Sequence, residues 1–174
     1  MKITADQLRH LLSYCADTGV FTWNIQRGRA RVGDVAGYVA KNRLGYEWAQ
    51  IRLLGVLYPA HRLAWLHHYG SAPGGSIDHI NQDSTDNRIE NLRIATNVEN
   101  SRNQHMRITN TSGVTGVYWE ESSKKWRAEV KVNGIKNRIG RFHDIHEAAE
   151  AVVAFRKCMG FTDLHGVKKR LQEA

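Results

Sequence analysis

The sequence predicts an α+β fold of short antiparallel strands and amphipathic helices, arranged as two small units. Three observations carry this. Apolar residues recur at helical spacing at Leu8, Leu11, Leu12 and Cys15, and again at Ala148, Val152, Phe155 and Met159, each stripe behind a side-chain cap. Lys125 to Val132 alternates with a period of two and runs into Asn133-Gly134, a strong hairpin signal. Between the halves, Ser101 to Ser112 is polar, with only Met106 and Ile108 as large apolar residues, the composition of a linker.

Taken in order, Thr4 with Gln7 forms a capping box that opens a helix over about 4–15. From Asp17-Thr18-Gly19 to Tyr58, β-rich runs such as Val20 to Trp23 and Tyr46 to Leu53 alternate with glycine turns, which reads as small antiparallel strands. Pro59 to Tyr69 is helical in pattern, and Ala72-Pro73-Gly74-Gly75 is expected to stop it. Strand, loop and strand then lead to a second capping box, Thr96 with Glu99, and a helix running to about His105 or Met106. In the second unit, Val114 to Trp119, Lys125 to Val132 and Lys136 to Phe142 give three strands. Asp144 with Glu147 caps a last helix that Gly160 ends. The expected division is 1–105, a linker at 106–112, a sheet-and-helix unit at 113–162 and a basic tail at 163–174 containing Lys168-Lys169-Arg170.

Charge narrows the partner. The 174 residues hold 25 Lys and Arg against 17 Asp and Glu, a formal +8, which favours a polyanion and makes nucleic acid the default. No apolar run reaches the roughly 18–20 residues of a spanning helix. The first residues lack the pattern of a secretory signal, so an intracellular, cytoplasmic location is expected. Cys15 and Cys158 lack Cys-x-x-Cys spacing and each lies on an apolar stripe, so both are expected to be free thiols packed as small hydrophobes.

The chemistry concentrates in one segment. Asp78-His79 is followed by Asn91 and Asn100, which joins a hard oxygen ligand, a base that titrates near neutrality and two amides. Phosphodiester hydrolysis needs an activated water, a charge to stabilise the phosphate and help for the leaving oxygen, and a divalent cation with one base supplies all three. An isolated Asp-His pair would more simply be a solvated turn; the surrounding pattern turns the reading toward chemistry. His61, His67 and His68 do not make a second metal site with His79, because His61 and His67 face different sides of a helix and no cysteine completes a zinc set. His143 and His146 read as surface residues at a helix entry.

His61-Arg62-Leu63-Ala64-Trp65, Ile77-Asp78-His79-Ile80-Asn81, Asp86 to Arg93 and Ala95-Thr96-x-x-Glu99-Asn100-x-x-Asn103 together resemble the His-Asn-His (HNH) nucleases, above all the phage and intron-encoded homing branch. The resemblance implies a ββα-metal motif, with Asp78 and Asn100 as metal ligands, His79 as general base and Asn91 bracing the active-site loop. Asn100 stands where many members carry histidine, which points to magnesium, with manganese as the alternative. Gln82 stands where members often have glycine. Because neighbours in a regular strand face opposite sides, the strand carrying Asp78 and His79 is expected to end, twist or bulge there.

Residues 110–160 resemble the ethylene-response-factor (apetala-type) DNA-binding domain, through Ser112 to Trp119, Lys125 to Val130, Ile139-Gly140-Arg141-Phe142 and Glu147-Ala148-Ala149. In that family a three-stranded sheet enters the major groove, which implies Tyr118, Trp119, Arg127, Lys131, Lys136, Arg138 and Arg141 as contacts. Arg127 and Arg138 are expected to read bases, and Lys124, Lys125 and Lys136 to hold phosphate. Trp126, in phase with Ala128 and Val130, is expected in the core, and Trp119 shares some of that character.

The expectation is therefore a sequence-preferring, divalent-metal-dependent DNA endonuclease of the HNH homing type. Its partner would be double-stranded DNA, with no membrane and no required protein partner, and it would act as a monomer, a dimer being the alternative. A DNA-binding regulator on an inactive HNH scaffold, or a restriction or repair nuclease, are the competing readings.

Overall fold

The computed structural model describes residues 2–107 and 109–168. Ile108 of the expected linker, and Lys169 and Arg170 of the expected basic tail, lie outside the described residues. The chain divides into two compact units, Met1–Thr96 and Asn97–Ala174. Small antiparallel sheets and short helices make up both, as the sequence predicts.

In the first unit, α1 (Ala5–Leu11) opens with the expected capping box, Gln7 N donating to Thr4 Oγ1 at 3.2 Å and Thr4 N to Gln7 Oε1 at 3.1 Å. The helix is shorter than its stripe predicts. From Leu12 the backbone is extended, and β1 (Leu12–Tyr14) pairs antiparallel with β2 (Phe21–Trp23). Leu8 and Leu12 are both fully buried, so one apolar stripe serves the core from a helix and then from a strand.

A second sheet, in order, is β3 (Tyr38–Lys41), β4 (Glu47–Leu53) and β5 (Val56–Pro59), and the β4–β5 turn is the two-residue Leu54-Gly55, both at positive φ. Next, α2 (Ala60–Tyr69) buries Leu63, Ala64 and Leu66 against Leu8, Leu12, Ile51 and Leu53. It stops at Gly70, not at the 72–75 stretch, because Gly70 adopts the left-handed conformation (φ 74°) and its N–H closes on Leu66 O at 3.0 Å. The first unit ends with β6 (Ser76–His79) paired antiparallel to β7 (Leu92–Ala95), separated by a loop that contains a single 3-10 turn at Ile89–Asn91.

The second unit begins with α3 (Asn97–Arg102), which ends earlier than the expected His105 or Met106. The chain beyond it, polar enough to read as a linker, is bonded to the C-terminal turn. Thr162 N donates to Arg102 O at 3.2 Å, Gly166 N to Gln104 O at 2.7 Å and Met106 N to Val167 O at 3.0 Å. Asn103 is buried and its Oδ1 accepts from Thr162 Oγ1 at 3.0 Å. These bonds place α3 in the second unit, ahead of the boundary that composition suggested.

The sheet of this unit has the order β10 (Ile135–Phe142), β9 (Lys125–Val132), β8 (Val117–Glu120). On one face packs α4 (Ile145–Cys158), capped by Asp144, whose carboxylate accepts from His146 N and Glu147 N. Val117, Ala128, Val130, Ala148 and Val152 form the core, with Trp126 packed against it as expected. Cys15 and Cys158 are free thiols, but both are exposed, not packed. Each sits where its stripe runs out, Cys15 after the helix has already given way to a strand and Cys158 on the last turn of α4. No helix among the described residues is long and apolar enough to cross a membrane.

Candidate active site and candidate nucleic-acid surface

β6 runs in regular register as far as His79, with Asp78 opposite Arg93 and His79 opposite Leu92, and then stops. The strand ends at the point where two neighbouring side chains would have to serve one site. Gln82 N bonds back to His79 O at 2.9 Å, closing a turn in which Gln82 takes a left-handed φ of 64°. That conformation explains why glycine suits this position; a side chain there costs about 1–2 kcal/mol.

His79 is buried at 8% exposure, and its Nε2 lies 3.3 Å from Oδ1 of Asn87, itself buried at 3%. The amide of Asn87 has only one consistent orientation, since its Nδ2 donates to Thr85 O at 3.0 Å. The oxygen therefore faces the imidazole. A carbonyl oxygen only accepts, so Nε2 carries the ring proton and Nδ1 carries the lone pair. Burial lowers the His79 pKa, opposed in part by the Asn87 bond and by the carboxylates of Asp78, Asp83 and Asp86, so the ring is neutral near pH 7. The ring of His61, on α2, stands edge-on to it at 5.2 Å between centroids. Its own pKa falls to about 4 through burial and the proximity of His79 and Arg62.

Asp78 is pinned by Arg93, whose Nη2 and Nε donate to Oδ2 at 2.8 and 3.0 Å. Its side chain is 13% exposed. The loop between the strands is held from within. Asn91 Oδ1 accepts from Asn81 N at 2.9 Å and its Nδ2 donates to Asp86 O at 2.8 Å, while its own carbonyl accepts from Ile80 N at 2.9 Å. Asp86 accepts from Asn81 Nδ2 at 2.8 Å and from both Nε and Nη2 of Arg88, which hold its pKa below the usual carboxylate range.

A second support comes from the N-terminal hairpin. Tyr14 Oη donates to Asn87 O at 2.7 Å, and Ile89 N to Ala16 O at 3.1 Å. Gly19 (φ 73°) presses on the same backbone, where an added Cβ would lie 2.5 Å from Arg88 N and 2.6 Å from Asn87 C. Among the described residues no group of three His, Cys, Asp or Glu side chains is arranged to hold a metal. His67, instead of joining His61, sits with Nε2 at 3.2 Å from Leu12 O and packs on Tyr14.

Asn87 and Arg93 are not singled out as functional from the sequence, whereas His61 is expected to pack or to contact phosphate. The only signal for Asn87 was its place in the dense Asp86 to Arg93 block; for Arg93 it was the antiparallel register that sets it opposite Asp78.

In the second unit, Asn100 lies on α3, and its Oδ1 is a buried oxygen that accepts no hydrogen bond among the described residues. The helix-free face of the sheet carries Tyr118, Glu120, Lys125, Arg127, Glu129, Lys131, Lys136, Arg138 and Arg141, as the register requires. Two carboxylates organise it. Glu120 accepts from Arg141 Nε at 2.5 Å and from Arg127 Nη1 at 3.4 Å, and its pKa falls to about 2, chiefly through Arg141 and Ser123. Glu129 accepts from Arg127 Nη2 at 2.9 Å and pairs with Lys136 at 3.6 Å. Arg127 also lies over the Tyr118 ring at 5.5 Å. Lys124 is in the turn at positive φ, ion-paired with Glu121. Trp119 is on the other face, in phase with Val117, and its ring meets Trp126 at 5.2 Å.

Residues 58–102 match the family described as HNH endonuclease. The chain is similar to Protein 3.8 of Escherichia phage T7, at 32% identity over 107 residues that cover 61% of this chain and 84% of the phage protein. No solved structure matches the chain.

Proposed function

This chain belongs to the family of the phage T7 Protein 3.8 and carries an HNH endonuclease domain at residues 58–102, and on that premise we propose that it is a sequence-preferring, divalent-metal-dependent DNA endonuclease of the homing type. The observation that carries the reading is the buried imidazole of His79, oriented by Asn87 beside the Asp78 carboxylate. Hydrolysis of a phosphodiester needs such a base within reach of a water.

The donors suit a hard cation. Asp78 offers a largely buried carboxylate, and Asn100 Oδ1 is a buried acceptor that no hydrogen bond satisfies among the described residues, an arrangement that costs stability until something electropositive meets it. Asp78 and Asn100 would hold the ion, magnesium first and manganese second. When bound, it supplies Lewis-acid stabilisation of the charge on the phosphate and on the leaving oxygen.

The chain's own residues do the rest. His79 Nδ1 takes the proton of the attacking water while Asn87 keeps the other ring nitrogen protonated. Asn91 and Asp86 keep the loop from shifting, and Arg93 fixes the aspartate. In the second unit, the sheet face acts as the DNA-recognition surface, in the manner of the ethylene-response-factor domain. Arg127, Arg138 and Arg141 address bases from it, and Lys124, Lys125, Lys131 and Lys136 hold phosphate. Tyr118 stacks beneath Arg127, and Trp119, on the opposite face, supports the sheet. The protein acts as a monomer on double-stranded DNA, and one site per chain leads to a nick.

The test is conversion of supercoiled plasmid carrying candidate genomic sites, with magnesium, with chelator, and with His79→Ala beside the wild type. Metal-dependent nicking lost in the variant is the expected result. Cleavage unaffected by His79→Ala would overturn the assignment of the base, and cutting at many short sites would overturn the homing type.

A further inference from the structure

The second unit contains a cleft of about 760 Å³, lined by α3 and the segment after it, the start of β8, the end of β9, Arg156 of α4 and the C-terminal turn. Its charge is one-sided. Arg107, Lys131 and Arg156 line it together with His105 and His165, against a single carboxylate among the described residues, Glu129. That carboxylate is already engaged by Arg127, Lys136 and the Tyr118 hydroxyl.

Arg156 is the unusual member. Its guanidinium is partly buried and its pKa is lowered by that burial alone. Nη2 donates to Thr115 O at 2.8 Å, but among the described residues the buried Nε meets no acceptor and no carboxylate pairs with the guanidinium. A cation drawn partly out of water without a counter-charge is costly, and an anionic ligand would offset that cost.

The backbone is shaped around this group. Gly116 (φ 86°) and Gly166 (φ 75°) flank it, and a Cβ on either would come within 3.1 Å of Nη2 and Nη1 respectively. His165, on the same wall, is held neutral, its pKa near 4 through burial and the Arg156 charge. It therefore offers a neutral nitrogen and adds no further positive charge.

We propose that this cleft is a phosphate site that seats the backbone phosphodiester of a DNA strand, with Arg156 at its floor and Arg107 and Lys131 at its rim. It adjoins the sheet face, with which it shares Tyr118, Glu129 and Lys131, and extends beyond it to Arg156, Arg107, His105 and His165. The choice of a DNA strand rests on the nuclease reading above; the phosphate chemistry does not. A free phosphate or pyrophosphate would use the same groups.

The experiment measures binding of a fluorescein-labelled 30-base-pair duplex by the full chain in chelator, by anisotropy across a range of salt. Arg107→Gln and Arg156→Gln are compared with wild type and with Lys157→Gln, an exposed cation of α4 that does not line the cleft. Each cleft variant should flatten the slope of log Kd against log salt by about 0.9, the share of one phosphate contact, while Lys157→Gln keeps the wild-type slope. Wild-type slopes and affinities in both cleft variants would overturn the proposal. Where Arg156→Gln fails to fold, as judged by circular dichroism, Arg107→Gln decides.

Pyrophosphate is titrated calorimetrically into the same proteins. Tight pyrophosphate binding by a wild type that ignores the duplex would overturn the DNA assignment in favour of a free phosphate. Plasmid cleavage by wild type and His79→Ala, run in parallel, reports on the nuclease reading separately, because loss of cutting leaves these slopes unaffected.

Discussion

Asn87 presents its side-chain oxygen to Nε2 of His79 at 3.3 Å while its amide nitrogen is committed to Thr85 O at 3.0 Å. The two contacts together decide which imidazole nitrogen can accept a proton. Replacing Asn87 with alanine removes that choice without touching the base. Single-turnover cleavage by Asn87→Ala should fall by about 10-fold to 100-fold, less than the roughly 10²–10⁴ that a general base contributes. The KM for DNA should change little, and Asn87→Asp, which retains an acceptor, should recover part of the rate. A wild-type rate in Asn87→Ala would show that the ring is oriented by other means.

The hairpin behind the site should be as sensitive as the site. In Gly19→Ala the new methyl meets the Asn87–Arg88 backbone at 2.5–2.6 Å and the residue keeps a φ of 73°. Left-handed strain and overpacking each cost about 1–3 kcal/mol. Thermal unfolding should show a clearly lowered Tm, and cleavage should fall even at temperatures where the variant is folded, because the loop carrying Asn87 must move.

Acid should weaken the first unit through His61. Its folded pKa is about 4 against an unfolded value of 6.5, so the unfolded chain binds the proton more readily between those values. The stability it contributes is complete above about pH 6.5 and is lost as pH falls toward 4, at most on the order of 3 kcal/mol. Urea titrations at pH 7, 5.5 and 4.5 measure this, and His61→Gln should flatten the acid limb. An acid limb of unchanged slope in His61→Gln would assign it to other groups.

Chelation and Asp78→Asn should act alike. Both should abolish nicking while duplex binding, followed by anisotropy, stays within about 3-fold of wild type, because phosphate contacts elsewhere supply most of the affinity. Loss of binding in Asp78→Asn together with loss of the folded signal would instead report the Arg93 ion pair as structural.

On the sheet, Arg138 and Lys125 should separate into two behaviours. Arg138→Ala should relax preference among sites at one position by about 1–3 kcal/mol, and Lys125→Ala should weaken all sites alike and reduce the salt slope by about 1. Competition binding against a panel of altered sites reads both. Equal losses on every site in both variants would remove Arg138 from base reading.

Much of this was legible from residues in a row. The alternation from Lys125 to Val132 matches β9 residue for residue, and the Thr4–Gln7 box opens α1 as read. Asp78, His79, Asn91 and Asn100 are expected as site residues because the blocks around them resemble the HNH nucleases, an isolated Asp-His pair being more simply a solvated turn. Local periodicity and capping are near-neighbour physics, which the chain carries in its order. What tertiary structure decided were relations between distant residues. The first apolar stripe leaves its helix at Leu12 because pairing with Trp23 competes with the next helical turn. Arg93 meets Asp78 because the register of two strands sets them opposite, and Asn87 meets His79 because a loop closes under hydrogen bonds among Asn81, Asp86 and Asn91. Asn100 belongs with the second unit because the polar segment after it bonds to the C-terminal turn. Such contacts depend on where the backbone returns to itself, so composition and spacing name the chemical groups while only the folded chain decides which atoms face one another.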